Sequence, residues 1–168
     1  MIQKIISGGQ TGADRAALDW AINSRIPHGG WCPKGRRAED GVIPDRYGLQ
    51  ETPRHNYRQR TKWNVRDSDA TLIVTLTREL AGGTLLAAQY AGKMARPCLH
   101  VFPGDGWRER IKEFLETNRI RILNVAGPRS SCAPDIEHFV HEVLTECRNS
   151  HEGGSEAKKK GMEGRSKL

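Results

Sequence analysis

The sequence predicts an α/β fold: three layers, with a doubly wound, mainly parallel sheet carrying helices on both faces. Three observations lead there. Short apolar runs alternate with amphipathic stretches of helical length along the 168 residues, the pattern of crossover connections between parallel strands. The clearest run, TLIVTL at residues 71–76, is largely apolar rather than alternating, as strands covered on both faces are. Polar, glycine-containing turns follow several strand candidates, where the chain has to pass tightly into a helix.

Taken in order, residues 2–7 are the first strand, and residues 13–24 a helix with Ala17, Leu18, Ala21 and Ile22 on one face. Between them lies SGGQTGAD. Gly8, Gly9 and Gly12 allow a tight turn and the close approach of a ligand, with Gln10 among them. Thr11 reads as the N-cap of the helix, and Asp14 three residues on imitates a capping box. A helix begun in this way aims free N–H groups and a partial positive charge at whatever lies above the strand end, which suits a phosphate.

Residues 29–32 read as a short second strand. Residues 33–53 have no sustained period, and a segment this long inside a compact domain is usually functional or disordered. Trp31, Ile43, Tyr47 and Leu49 provide apolar anchors that argue against disorder. The segment carries Lys34, Arg36 and Arg37, then Glu39 and Asp40. The cations suit oxyanion contacts. The carboxylates suit ribose hydroxyls, a metal or acid–base work, and all five charges equally suit a surface ion-pair network.

Residues 56–66 read as a helix, 71–76 as the central strand, 83–94 as a helix and 98–102 as a strand. Then come a helix at 107–117, a strand at 121–125 and a last helix at 134–147. Asp67 and Asp69 precede the central strand and read as structural. In a doubly wound sheet the carboxyl ends of the strands share one edge, where ligands bind. Gly8 to Gly12, then Gly82, Gly83 and Thr84, then Gly127, Arg129, Ser130 and Ser131 all follow strands, so three small polar loops should meet there. The expected partner is a phosphate-bearing small molecule.

Composition narrows the classes. The net charge is +7, of which +3 sits from Arg148 onward, where six cations face three carboxylates, leaving +4 on the rest. Aromatic residues make up 6% and are not interleaved with the cations as a single-strand binding face requires, so nucleic acid is an unlikely partner. No apolar run approaches the roughly 18 residues of a membrane span, and the chain enters a strand at once, without a secretory leader. Cys32, Cys98, Cys132 and Cys147 are far apart and read as reduced thiols of a cytoplasmic protein. No metal site is assigned. His138 and His141 flank a buried helix face, His100 lies inside a strand, and His28 with Cys32 is the one pair near the edge. Residues 1–148 are expected to form one domain and 149–168 a flexible basic tail, ending in a Ser166-Lys167-Leu168 match to a peroxisomal signal that reads as solvated tail.

The stretches SGGQTGADRAALDWA, GGWCPKGRRAEDGVIPDRYGLQETP, RTKWNVRDSDATLIV, GGT, RPCLHV and LNVAGPR resemble the putative molybdenum carrier family, also described as the circularly permuted YpsA branch of the SLOG superfamily. The resemblance spans residues 2–147. It implies a Rossmann-like fold, binding of a nucleotide or nucleotide-derived ligand, molybdenum cofactor (a phosphorylated pterin) as one possible cargo, and a homo-oligomer, dimer or tetramer. The same superfamily includes LOG-type phosphoribohydrolases, whose PGGxGTxxE motif ends in a catalytic glutamate. Aligned on Gly83 and Thr84, this chain has Ala87 there. A nucleoside-phosphate hydrolase or transferase, with Glu39 or Asp40 as acid or base, is therefore the alternative to a binding protein.

Overall fold

The structure, a computed structural model, describes residues 1–163. In chain order the elements are β1 (Lys4–Ile6), α1 (Ala13–Asn23), β2 (His28–Gly29), β3 (Trp31–Cys32), β4 (Arg37–Ala38), β5 (Gly41–Val42) and β6 (Gln50–Glu51). They continue with α2 (Tyr57–Arg66), β7 (Ala70–Val74), α3 (Gly82–Lys93), β8 (Cys98–Val101), α4 (Trp107–Thr117), β9 (Ile122–Ala126) and α5 (Ile136–Glu163). The main sheet has five strands in the order β2-β1-β9-β7-β8, all parallel. The chain winds outward from β1 to β2 and, on the other side, from β7 to β8. That reversal puts the switch point around β1, β9 and β7.

The two faces differ. Helices α1, α4 and α5 cover one face with a large apolar cluster that includes Trp20, Trp107, Ile111 and Phe139 over Ile5, Leu72 and Leu123. Trp107 meets Phe139 edge to face at 5.5 Å. Helices α2 and α3 pack on each other over the opposite face, where buried Ile6, Val65 and Ile73 stand beside buried polar groups. There Asn124 Nδ2 donates to Thr71 Oγ1 (3.1 Å), and α3 buries only Thr84, Ala87 and Ala91. This face is polar at its centre, close beneath the sheet's carboxyl edge.

Two expectations are corrected. The second strand, expected at residues 29–32, is cut in two at Gly30, which has φ +126° and lies where any Cβ would run into the Ser7 carbonyl. His28–Gly29 stays with β1, whereas Trp31–Cys32 leaves the sheet to pair in parallel with β6. Residues 33–53 are not without regular structure. They hold the hairpin β4–β5 and the strand β6, and their Ile43, Tyr47 and Leu49 form a small separate core with Leu18 and Cys32. Arg36 organises this segment, donating through Nε to Ile43 O, through Nη1 to Leu49 O and through Nη2 to Pro44 O and Tyr47 O at 2.9–3.1 Å. These contacts are too distant in sequence and too irregular to leave a period.

The last helix runs past its expected end at residue 147 to Glu163, so the stretch expected as a tail begins inside α5. Ser166 to Leu168 lie outside the described residues. No helix among the described residues is long and apolar enough to cross a membrane.

Because one guanidinium holds four loop carbonyls, Arg36→Ala is expected to cost about 2–3 kcal/mol of stability. Urea denaturation should show the loss, and Arg36→Lys should recover little of it, since an ammonium lacks the fork.

Candidate functional site

At the carboxyl edge the three glycine loops come together, and the residue that joins them is one the sequence reading passed over. Asn56 caps α2, its side chain accepting from Gln59 N at 3.1 Å. Four residues later Arg60 extends over Gly8 and fills the space a side chain there would need. Its Nη1 donates to Asp14 Oδ2 at 2.7 Å; the two side chains are only 14% and 4% exposed. Arg60 Nε is also buried and has no hydrogen-bond partner among the described residues. Arg60 lies on the face of α2 that buries Thr61 and Asn64, and that placement was the available clue.

The helix cap differs from expectation. Gly12, not Thr11, is the N-cap of α1, and no side chain caps it. Asp14 turns to Arg60 and to Gln10 N (3.3 Å) instead of closing a capping box. Thr11 Oγ1 accepts from Ser130 N at 3.1 Å and donates to Glu39. Gly12 has φ +74°, and a Cβ on it would meet Pro128 O at 2.6 Å. A Cβ on Gly127 would strike Ala13 and the Val74 carbonyl, and Ala13 N donates to Pro128 O at 3.1 Å. These glycines let the β1–α1 and β9–α5 connections touch backbone to backbone. Gly9 lies beneath Leu49 and Ile43 for the same reason.

A cavity of about 30 Å³ lies behind these contacts, lined by Asp14, Arg60, Asn64, Gly83, Asn124 and Gly127 among others. It holds about one water. Beside it α3 begins at the exposed Gly82 and Gly83. Ala81, its N-cap, has no side chain able to bond a first-turn N–H, while Thr84 Oγ1 bonds both the N–H and the carbonyl of Ala81. The N–H groups of Thr84 and Leu85 donate to the Ala81 carbonyl (3.1 and 3.3 Å), which leaves those of Gly82 and Gly83 as the donors at the start of α3, near a largely buried guanidinium, an arrangement that favours an anion.

Residues 39 and 40 form the tip of the hairpin β4–β5, and both grip the edge. Glu39 accepts from Thr11 Oγ1, from Ser131 N (3.1 Å) and from Ser131 Oγ (2.5 Å), with Arg129 Nη1 3.7 Å away. Asp40 takes a two-pronged ion pair from Arg15, with Nη2 to Oδ1 at 2.7 Å, and Arg15 Nε donates to Gly9 O at 3.1 Å. Gln10 Oε1 accepts from Thr11 N (3.0 Å) and Glu39 N (2.9 Å). Hydrogen bonds, from the Ser131 hydroxyl first and then Thr11, hold the Glu39 carboxyl below its usual range, and the Arg15 hydrogen bond does the same to Asp40. Of the expected cations, Lys34, Arg37 and Arg129 are exposed, whereas the donors of Arg36 go to its own loop.

His28, Cys32, His100 and His141 serve packing and local hydrogen bonding. His28 Nε2 accepts from Gly48 N (3.4 Å), Cys32 is fully buried, and its burial pushes its thiol up. His100 Nε2 bonds Thr75 Oγ1 at 2.6 Å and His141 Nε2 the Ala16 carbonyl at 3.1 Å. Asp69 accepts from Arg121 N and Ile122 N, and Asp67 from Trp31 Nε1, both structural. Among the described residues no group of three or more His, Cys, Asp or Glu side chains is placed to hold a metal ion.

Comparison with known proteins settles the family. The profile of the circularly permutated YpsA SLOG family matches residues 5–148. The chain belongs to that family. A solved structure, that of a putative molybdenum carrier protein from Syntrophus aciditrophicus SB, is similar to this chain with a TM-score of 0.82 and 45% sequence identity. The match covers 87% of this chain and 94% of that one. The fold is accordingly a Rossmann-like α/β fold. No curated protein matches.

Two predictions follow from the geometry. Asp14→Asn leaves a buried guanidinium uncompensated and should cost about 3 kcal/mol in urea denaturation, while Asp14→Asn/Arg60→Met should cost less than the two single changes added together. Glu39 and Asp40 have folded-state values below their unfolded ones, so their grip is complete above the ordinary carboxylate range of about pH 4–4.5. It is lost as the pH falls through the lowered values. Hydrogen exchange across residues 37–42 should show constant protection from pH 7 to about 5 and a loss below about pH 4.

Proposed function

We propose that this protein binds a small phosphate-bearing ligand, a nucleotide or a nucleotide-derived or pterin molecule, at the carboxyl edge of its sheet. The observation that carries this reading is Arg60, whose buried Nε–H has no partner among the described residues, beside the start of α3 at Gly82 and Gly83, which no side chain caps. The phosphate would lie over Gly82, Gly83 and Thr84, drawn by the N–H groups of Gly82 and Gly83 and by Arg60. Asp14 faces Arg60 and balances its charge, so the carboxylate beside the glycine turn need not repel the phosphate. Gly8, Gly9, Gln10, Thr11 and Gly12 form one wall and Gly127 another. Lys34, Arg37 and Arg129 contribute long-range charge from exposed positions.

Binding is favoured over bond cleavage. The position where LOG-type hydrolases have a glutamate is Ala87, a methyl group on the cavity wall. The oxygens of Glu39 and Asp40 are engaged by Thr11, Ser131 and Arg15 rather than free to move a proton. The name of the similar bacterial protein makes a phosphorylated pterin such as molybdenum cofactor one member of the ligand class, and N–H groups with a guanidinium suit the phosphate of such a molecule. Self-association as a dimer or tetramer remains part of this reading, since it rests on the family alone.

Gly83 gives the cleanest test, because a Cβ built there meets nothing within 4 Å. Gly9 would not serve, since its Cβ would crowd Leu49 at 2.5 Å on a backbone with φ +74°. Gly83→Val should change stability by less than about 0.5 kcal/mol, yet weaken binding in a calorimetric panel of nucleoside phosphates and pyrophosphate at least about tenfold. Unchanged binding would remove the phosphate from α3. Release of free base or phosphate from any nucleotide, abolished by Glu39→Gln, would favour the hydrolase or transferase.

A further inference from the structure

The hairpin β4–β5 is held to the edge in an unusual way. Its strands pair only with each other, and Arg37, Glu39, Asp40, Gly41 and Val42 are exposed, Val42 to 72%. Ala38 alone leans on the small core. Apolar packing therefore contributes little to keeping the hairpin down. The ion pair of Asp40 with Arg15 already ties the tip to α1. Glu39 adds something chemically different: its carboxylate enters a ring of donors supplied by two other loops, Thr11 Oγ1, Ser131 N, Ser131 Oγ and the nearby Arg129 guanidinium. A backbone N–H, two hydroxyls and a guanidinium around one oxyanion form a receptor for an anion, not merely a hairpin anchor.

We propose that Thr11, Ser131 and Arg129 form an oxyanion subsite, which Glu39 fills as a built-in stand-in, and that a phosphate group of the ligand displaces it and frees the hairpin. This deepens the phosphate-binding reading and rests on it. The donors suit a tetrahedral dianion better than a carboxylate, because three or more acceptor oxygens can use all of them at once. The cost of displacement is small: Glu39 is at the exposed tip and becomes hydrated as it leaves. Arg129 then turns from a partner of Glu39 to a partner of the ligand. The hairpin is thereby a strap whose closed state reports an empty subsite, and binding is coupled to release of residues 37–42 from the edge.

The test uses inorganic phosphate as the probe, with sodium chloride at matched ionic strength as the control. Trypsin cuts after Arg37, inside the hairpin. Phosphate should accelerate that cut several-fold and saturably in the wild-type chain, whereas chloride should not. Glu39→Ala should be cut rapidly without phosphate and bind phosphate about tenfold more tightly, because the competing carboxylate is gone. Asp40→Asn loosens the hairpin but leaves Glu39 in place, so it should be cut faster without any gain in phosphate affinity. Phosphate that binds the wild type without speeding the cut after Arg37 would overturn the displacement and leave the phosphate-binding reading intact. An equal affinity gain in Asp40→Asn would make the hairpin a mere cover. Phosphate binding to neither the wild type nor Glu39→Ala would eliminate the subsite, while nucleotide binding lost in Gly83→Val would still support the reading on which it rests.

Discussion

The ion pair between Asp14 and Arg60 is the contact on which the edge of this protein depends. It ties the first turn of α1 to the second turn of α2, lies directly over Gly8, and forms part of the wall shared with the β9 loop and the start of α3. Two opposite charges taken out of water are tolerated only when each has its partner, so the pair fixes where both elements end up. Their separation of 46 residues makes it a long-range lock. What remains after Asp14 is satisfied is a guanidinium with one buried N–H to spare, pointing the chemistry of the edge toward anions.

Around that lock the glycines do a different job from the one a phosphate turn suggests. Gly9, Gly12 and Gly127 let loops press together where a single methyl group would collide with a neighbour. The open positions are Gly82 and Gly83, at the start of α3. The edge is therefore crowded at the β1 turn and open at the start of α3. The charged hairpin closes over the wall from outside, held by polar contacts that solvent or a ligand can replace.

The fold class was legible because its signals are local. The apolar run of β7 and the amphipathic face of α1 each declare themselves within a dozen residues, and parallel pairing follows from their alternation with helices. The convergence of loops at residues 8–12, 82–84 and 127–131 was legible too, since topology alone brings strand ends to one edge. The segment 33–53 was not. Its regular structure comes in two-residue strands, pairs such as Trp31 with Gln50 span distant positions, and Arg36 works through backbone carbonyls that carry no sequence identity. Arg60 escaped for a related reason: among the many cations of α2, only three-dimensional placement tells which one meets Asp14. The roles of Glu39 and Asp40 were left open between chemistry and ion pairing, and their partners Ser131 and Arg15 lie 92 and 25 residues away.

The central claim is that the buried guanidinium and the start of α3 together receive a phosphate. A crystal structure of the protein with whatever ligand copurifies from its host tests this most directly. The account predicts phosphate density within hydrogen-bonding distance of the Gly83 N–H and the Arg60 guanidinium. A ligand that contains no phosphate, or one with no phosphate group at either the Gly83 N–H or the Arg60 guanidinium, would contradict it.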